Sequence, residues 1–345
     1  MQIRGGSSKG IYFKKDDLPA HEEERNNIIL DIVGRDERQI DGLGGANPLT
    51  SKVAIINKSE DENAHVDFLF VQVVVGENRV DTSPNCGNIL AGVGVFALES
   101  GMVEAEEKTT SIRVKMLNSG NYCELILQTP NKKLTFKGDA KIDGVEGRSA
   151  PIICNYMNIE GSICGKLFPT GKKIDNIDGI NLTCIDNGMP VVLIPALSLQ
   201  ISGYEICDEL SSNEILRQKL ESIRLKAGKL MGLGDVSNKV IPKMSIISPP
   251  KGSGTINTRT FIPHNCHAAI GVLGAVSVAS ACLYKECVTN GIAKEEKSKF
   301  SVQHPSGEFL VELTSEIENG EIVIKKSGLL RTARLLSKGV AFLKE

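Results

Sequence analysis

The chain has no tryptophan, and its 345 residues carry only 5 tyrosines and 10 phenylalanines. Lysine and arginine are scattered, and the formal net charge is −2. Without aromatic platforms or a basic face there is no footprint for DNA or RNA, so no nucleic-acid partner is expected. No stretch reaches the roughly 18 uninterrupted apolar residues of a membrane span, and the opening MQIRGGSSKG lacks the basic-then-apolar pattern of a signal peptide. The expected location is the cytoplasm, with no membrane partner. Among the nine cysteines (86, 123, 154, 164, 184, 207, 266, 282, 287) there is no CxxC pair and no knuckle with metal-ligand spacing. A structural zinc site is therefore disfavoured and no metal is expected. An odd count with no export signal argues for free thiols, not a disulfide framework. Cys154, Cys164, Cys184 and Cys282, in apolar surroundings, read as small buried hydrophobes.

What is present is an ordinary globular composition, 41% apolar and 24% charged, in a chain long enough for two domains. VAIINKS from Val53 and VDFLFVQVVV from Val66 read as strands, and SIRVKML, YCELILQ and KLTFKGD follow as short alternating segments between Ser111 and Asp139. ILAGVGVFALESG, apolar all round, predicts a buried helix that ends at Gly101. Further on, TCIDNGMPVVLIPA predicts one buried strand. SSNEILRQKLESIRLKAGKLMGLG predicts a surface helix behind a Ser or Asn cap, with Ile215, Leu216, Leu220, Ile223 and Leu230 at helical spacing. KMSIISPP and TINTRTFIP predict two more strands around a PPKGSG loop.

One segment occurs twice. NCHAAIGVLGAVSV (265–278) aligns without gaps on NCGNILAGVGVFAL (85–98), which places Cys266 180 residues after Cys86 (266 − 86). Each copy follows strands and opens an apolar run, which predicts two homologous halves, 1–180 and 181–345, each with a buried central helix. A C-terminal segment is free to cross back. The expected site is the cleft where the halves meet.

A helix that starts Cys-Gly-Asn offers unpaired backbone N–H groups, the positive end of a macrodipole, and a field that favours a thiolate at Cys86. Gly87 lets a ligand approach the backbone closely. The competing reading is an inert packing cysteine. RGGSSKGIYF offers Ser7, Ser8 and Arg4 to ligand carboxylates, or is a solvated turn; it is not a Walker A loop. Ser51 and Lys52 stand just before an apolar strand, where a lysine serves as acid or base or is merely solvated. Around Cys266 stand Thr258, Arg259, His264 and His267. Arg259 is read as a carboxylate ligand in preference to a Cys–His nucleophile pair. In HPSGEF, Ser306 is a candidate ligand contact at a turn. Arg331 and Arg334 near the C-terminus either close the core or anchor an acidic substrate.

RGGSSKGIYF, QIDGLGGANPLTSKVAII, VDTSPNCGNILAGVGVFALESG, LTCIDNGMPVVL, TINTRTFIPHNCHAAIGVLGAVSVASACL and HPSGEF together resemble the family of 4-oxalomesaconate, 2-methylaconitate and 3-methylitaconate isomerases, from Arg4 to Val340. The IDNGMPVVL and NTRTFIPHNCHA segments are most similar to its oxalomesaconate branch. The resemblance implies an α/β (α+β), diaminopimelate epimerase-like fold: two pseudo-symmetric halves, each with strands wrapped round a central helix. It implies a cofactor-independent isomerase or tautomerase that moves a proton on an unsaturated di- or tricarboxylate. Carried over by position, the catalytic pair is Lys52 and Cys86. Gly87, Asn88, Ser7, Ser8 and Ser51 would hold carboxylates and the developing oxyanion. His267 stands where epimerases of this fold have glycine, which sets Cys266 apart as the copy with a changed role. A methylaconitate, aconitate or methylitaconate isomerase, and a non-catalytic carboxylate-binding protein, are the alternatives. The partner is a small carboxylate, and a homodimer is compatible with all of this.

Overall fold

The computed structural model describes residues 1–82 and 85–344. They form two compact units: Met1–Met157 with Leu330–Glu345, and Asn158–Leu329. In chain order the first unit holds β1 (Gln2–Gly5), β2 (Ser8–Lys14), α1 (Glu22–Val33), β3 (Lys52–Lys58), β4 (Val66–Val73), β5 (Val80–Asp81), α2 (Gly87–Glu99), β6 (Lys108–Met116), β7 (Tyr122–Thr129) and β8 (Ile152–Met157). The second holds β9 (Asp175–Ile177), β10 (Ile180–Asp186), β11 (Pro190–Pro195), α3 (Cys207–Ser212), α4 (Glu214–Leu230), β12 (Lys243–Ser248), β13 (Ile256–Phe261), α5 (Val272–Ala281), β14 (Lys299–His304), β15 (Gly307–Glu318) and β16 (Glu321–Arg331). β17 (Ala333–Ser337) returns to the first unit and pairs antiparallel with β1. Residues 158–180, expected with the first half, belong to the second unit because β9 pairs with β10.

The two units repeat one plan. A hairpin (β1–β2; β10–β11) is followed by a helical crossover to a parallel strand (β2–β3; β11–β12) and then an antiparallel one (β3–β4; β12–β13). A buried helix comes next. In the first unit α2 packs against β1, β2, β3, β4, β7 and β17; in the second, α5 packs against β10, β11, β14 and β15. A helix enclosed on all sides is built mostly of apolar residues, and the two buried serines of α5, Ser277 and Ser280, are paired with Asn187. Ile89, Leu90, Val93, Val95 and Phe96 are all buried, each burial stabilising by up to about 1.5–3 kcal/mol. α2 stops in a Schellman turn: Gly101, at φ +70°, donates its N–H to Leu98 O, and Met102 N–H reaches Ala97 O.

Three expectations are corrected. TCIDNGMPVVLIPA is two antiparallel strands, not one, because Asn187-Gly188 turns the chain with Gly188 at φ +86°. KLTFKGD is not a strand: β7 takes Ile152–Met157 as its antiparallel neighbour instead. In α4 the buried stripe is Leu216, Leu220, Ile223 and Ala227, while Ile215 and Leu230 are exposed. The Asn213 side chain caps that helix by accepting from Leu216 N–H, 3.0 Å.

Candidate active site

Cys86 is the N-cap of α2, half-buried, in extended backbone conformation. Its carbonyl accepts the N–H of Leu90 at 3.0 Å. The N–H groups of Gly87, Asn88 and Ile89 precede that bond and have no helical carbonyl to reach. They form a patch of donors beside the sulfur. The β1–β2 turn closes on the same point. Asn88 Nδ2 donates to Ser7 Oγ at 3.2 Å and to Ser8 Oγ at 3.5 Å. Gly5 and Gly6 are glycines for a stated reason: a Cβ would fall 2.3 Å from Asn88 O and 2.2 Å from Asn88 Oδ1. Tyr12, buried under the helix, donates its hydroxyl to Ile89 O at 2.7 Å. Gly92 leaves room for that ring, since a Cβ there would lie 2.2 Å from the Tyr12 hydroxyl oxygen.

Lys52 opens β3 beside this turn. Gly10 stands between them: a Cβ on it would lie 2.9 Å from both Ile89 Cδ1 and Lys52 O. The Lys52 ammonium donates to Gln72 Oε1 at 2.8 Å and lies 5.0 Å from the centroid of the Phe70 ring. Gln72 is directly across from Lys52 in the β3–β4 register, and its Nε2 donates to the carbonyls of Pro48, Ser51 and Val73. Those bonds turn its oxygen toward the lysine. Arg331, buried, lies within electrostatic reach of Cys86, Cys154 and Tyr156. Burial pushes the packing thiol of Cys154 up to about 12.

Two residues expected at this site are occupied elsewhere. The Ser51 hydroxyl is fully buried, 2.7 Å from Gln39 Oε1 and 2.9 Å from Asn47 O. It ties down the 39–47 loop. Arg4 lies on the other face of β1, because Gly5 faces α2 and neighbouring side chains of a strand alternate.

The second unit gathers its candidates round β13 and the segment after it, but not at a helix start. The N-cap of α5 is Gly271, so the helix begins at Val272 while Cys266 lies five residues before that cap. The backbone explains the delay. Cys266 forms a bridge with Phe261, His267 N–H donates to Thr260 O, and Ser306 donates both its N–H and its hydroxyl to Ala268 O. A segment bridged to Phe261, and whose Ala268 carbonyl is already taken by Ser306, cannot offer that carbonyl to the N–H four residues on, so the helix starts later. Burial, then the neighbouring Cys207, pushes the Cys266 thiol up to about 12. Cys207 Sγ and Cys266 Sγ lie 3.5 Å and 4.0 Å from the same acceptor, His267 O. The imidazole of His267 is exposed. Arg259 was expected to hold a carboxylate, yet its Nε donates to Glu205 O at 2.8 Å and its Nη1 to Thr258 O and Asn257 Oδ1. It is a buried strut.

A family model described as "PrpF protein" matches residues 1–344. The chain belongs to the PrpF family. The 4-oxalomesaconate tautomerase of Pseudomonas putida is 51% identical over 344 residues, covering 99% of this chain and 94% of that one. The (4E)-oxalomesaconate Delta-isomerase of a Novosphingobium species is 46% identical, covering 99% and 96%. The crystal structure of a methylitaconate-delta-isomerase superposes with a TM-score of 0.89 at 31% identity, over 98% of this chain and 93% of that one. The fold of this PrpF chain is diaminopimelate epimerase-like.

Sequence reasoning overlooked two residues of this candidate site, and both left a signal. Gln72 is the one polar side chain in the middle of VDFLFVQVVV, at the position that pairs with Lys52. Tyr12 ends the glycine-rich opening and is answered by Gly92, one of two glycines inside a helix that has no conformational use for them.

Proposed function

We propose that the chain is a cofactor-independent tautomerase acting on an unsaturated tricarboxylate of the 4-oxalomesaconate class, converting the keto form to the enol, 2-hydroxy-4-carboxymuconate. The observation that carries this reading is a cysteine at an uncapped helix start, together with a lysine held by Gln72 and Phe70 on the strand that pairs with Gly10, the residue packed against Ile89 of that helix. The named activities of the full-length relatives support it.

In this reading one of Cys86 and Lys52 removes the proton from the carbon next to the keto group, and the electron pair moves onto the carbonyl oxygen. The other group returns a proton to that oxygen or to the far end of the conjugated system. Charge develops on oxygen, so the N–H donors of Gly87, Asn88 and Ile89 act where the transition state needs them. Ser7 and Ser8, oriented by Asn88, hold a carboxylate. The relative named as a Delta-isomerase favours, as a second reading, return of the proton to carbon.

The test is turnover of 4-oxalomesaconate followed by ultraviolet absorbance of the conjugated product, with incorporation of solvent deuterium read by NMR. Exchange and turnover should both vanish in Cys86→Ser and Lys52→Met. Intact exchange in both variants rejects the assignment, and deuterium retained at carbon instead of lost through oxygen selects the second reading.

A further inference from the structure

The face of β1 turned away from α2 carries a row of like charges. Arg4 sits directly across from Lys9 on β2 and from Arg334 on β17. Gly5 and Gly10 face α2, so their strand neighbours Arg4 and Lys9 project from the opposite face. Like charges placed directly opposite each other destabilise a sheet, and here they span three adjacent strands. Burial, then the nearby Arg334, holds the half-buried Arg4 guanidinium below its ordinary value. Among the described residues none of Arg4, Lys9 and Arg334 is engaged in an ion pair.

Arg4 and Arg334 line a cavity of about 490 Å³, and the segment 140–149 across it adds a third guanidinium, Arg148. The one carboxylate among the lining residues is Glu146. Arg4 Nη1 is held in place by Gly6 O at 2.8 Å and by the carbonyl and hydroxyl oxygens of Thr332 at 3.0 Å, which leaves Nε and Nη2 of its fork for a ligand. Arg148 is anchored through Nη1 to Asp139 O at 2.7 Å. Cys86, Lys52, Ser7, Ser8 and Asn88 are all absent from the lining.

We propose that this cavity is a second anion site, separate from the Cys86 site, that binds a small multivalent oxyanion bridging Arg4, Arg334 and Arg148. Planar guanidinium forks match the paired oxygens of carboxylates and phosphates. A ligand with two or more negative charges offsets the repulsion that the sheet otherwise carries. The inference stands apart from the proposed catalytic reading and survives its failure.

The experiment is calorimetric titration of the full chain at low ionic strength with two probes. These are tricarballylate, a saturated tricarboxylate with no conjugated system to isomerise, and inorganic pyrophosphate. The same titrations are run on Arg148→Gln/Arg334→Gln and on Cys86→Ser. At least one probe should show a binding event that wild type and Cys86→Ser share within about twofold and that the double arginine variant weakens at least tenfold. The probe that binds more tightly assigns the ligand as carboxylate or phosphate. Thermal unfolding gives an independent sign: without anion, Arg334→Gln should melt higher than wild type, and added anion should raise its Tm less. Absence of binding by both probes, equal binding by wild type and the double variant, or loss of binding in Cys86→Ser each overturns the proposal.

Discussion

NCGN at residues 85–88 and NCHA at residues 265–268 begin alike and end as different structures. The first caps a helix whose opening N–H groups have no helical carbonyl to reach. The second is an irregular segment in which Cys266 N–H goes to Ser211 and His267 N–H to Thr260, and its helix starts only at Val272. The residue at the N-cap of the second unit's helix is Gly271. The same holds for the lysine: Lys52 pairs with Gly10 across a parallel ladder, and Lys243 pairs with Val191 across the matching one. Counted from the helix start, Gly271 stands where Cys86 does, and the ladder register puts Lys243 where Lys52 stands, whereas a gapless alignment pairs Cys86 with Cys266 and places that cysteine before the helix. A repeated dipeptide is weaker evidence of equivalence than a repeated register.

The sharpest way to break this comparison is kinetic. Cys86→Ser and Lys52→Met should each lower turnover by about 10³-fold or more, within the range that general acid–base groups supply. Cys266→Ala should stay within about threefold of wild type. Comparable losses at Cys86 and Cys266 would restore a two-cysteine mechanism. A chemical version follows from burial. With its thiol pushed up to about 12, Cys266 holds on the order of one part in 10⁴ as thiolate at pH 8. Iodoacetamide at pH 8 should label Cys86 at least about 100-fold faster, as peptide mass spectrometry would read. His267→Gly should not change that ratio, because the missing helix turn and not the histidine makes the difference.

The two helices also differ in what their glycines do. A Cβ at Gly92 would meet the Tyr12 hydroxyl at 2.2 Å, whereas one at Gly274 in α5 would find nothing nearer than Ile270 Cγ1 at 3.3 Å. Gly92→Ala should cost about 1–3 kcal/mol in urea unfolding as Tyr12 is displaced. Gly274→Ala should be neutral or stabilise by up to about 1 kcal/mol through helix propensity. Equal costs would mean that Gly92 is not placed by Tyr12.

These contrasts show how far residues alone carried the reading. The strands around Val53 and Val66, the buried helix and its glycine stop, and the Asn213-capped helix were all legible, because each is written in local periodicity and capping chemistry. The hairpin of β10 and β11 was legible too, in Asn187-Gly188, but the continuous apolar run on either side masked it. KLTFKGD alternates like a strand, yet strand pairing is settled by which neighbour fits β7, and that is a long-range fact. Ser51 and Arg259 carry the chemistry of ligand contacts, and only the fold shows that the Ser51 hydroxyl is taken by Gln39 and Asn47 and that Nε and Nη1 of Arg259 are taken by Glu205, Asn257 and Thr258. Polar residue type announces that a hydrogen bond will be made, not with whom.

The smallest expected effect separates the two lysines. Lys52 has the Gln72 amide oxygen and the Phe70 ring beside its ammonium. Lys243 is close to another cation, Arg224, and burial followed by that charge lowers it to about 8. An ordinary lysine titrates near 10.5, so between pH 8 and 10.5 the unfolded chain binds more protons than the folded one. On this group's account, stability rises with pH across that window, and the full cost of a charged Lys243 is present below pH 8. Lys243→Met should therefore stabilise the protein at pH 7 by on the order of 1 kcal/mol, allowing for its partial exposure, and the gain should fade by about pH 10.5. Urea unfolding of both proteins at pH 7 and pH 10 reads this directly. A gain that is the same at both values would mean that the substitution acts by packing and not by the charge of Lys243.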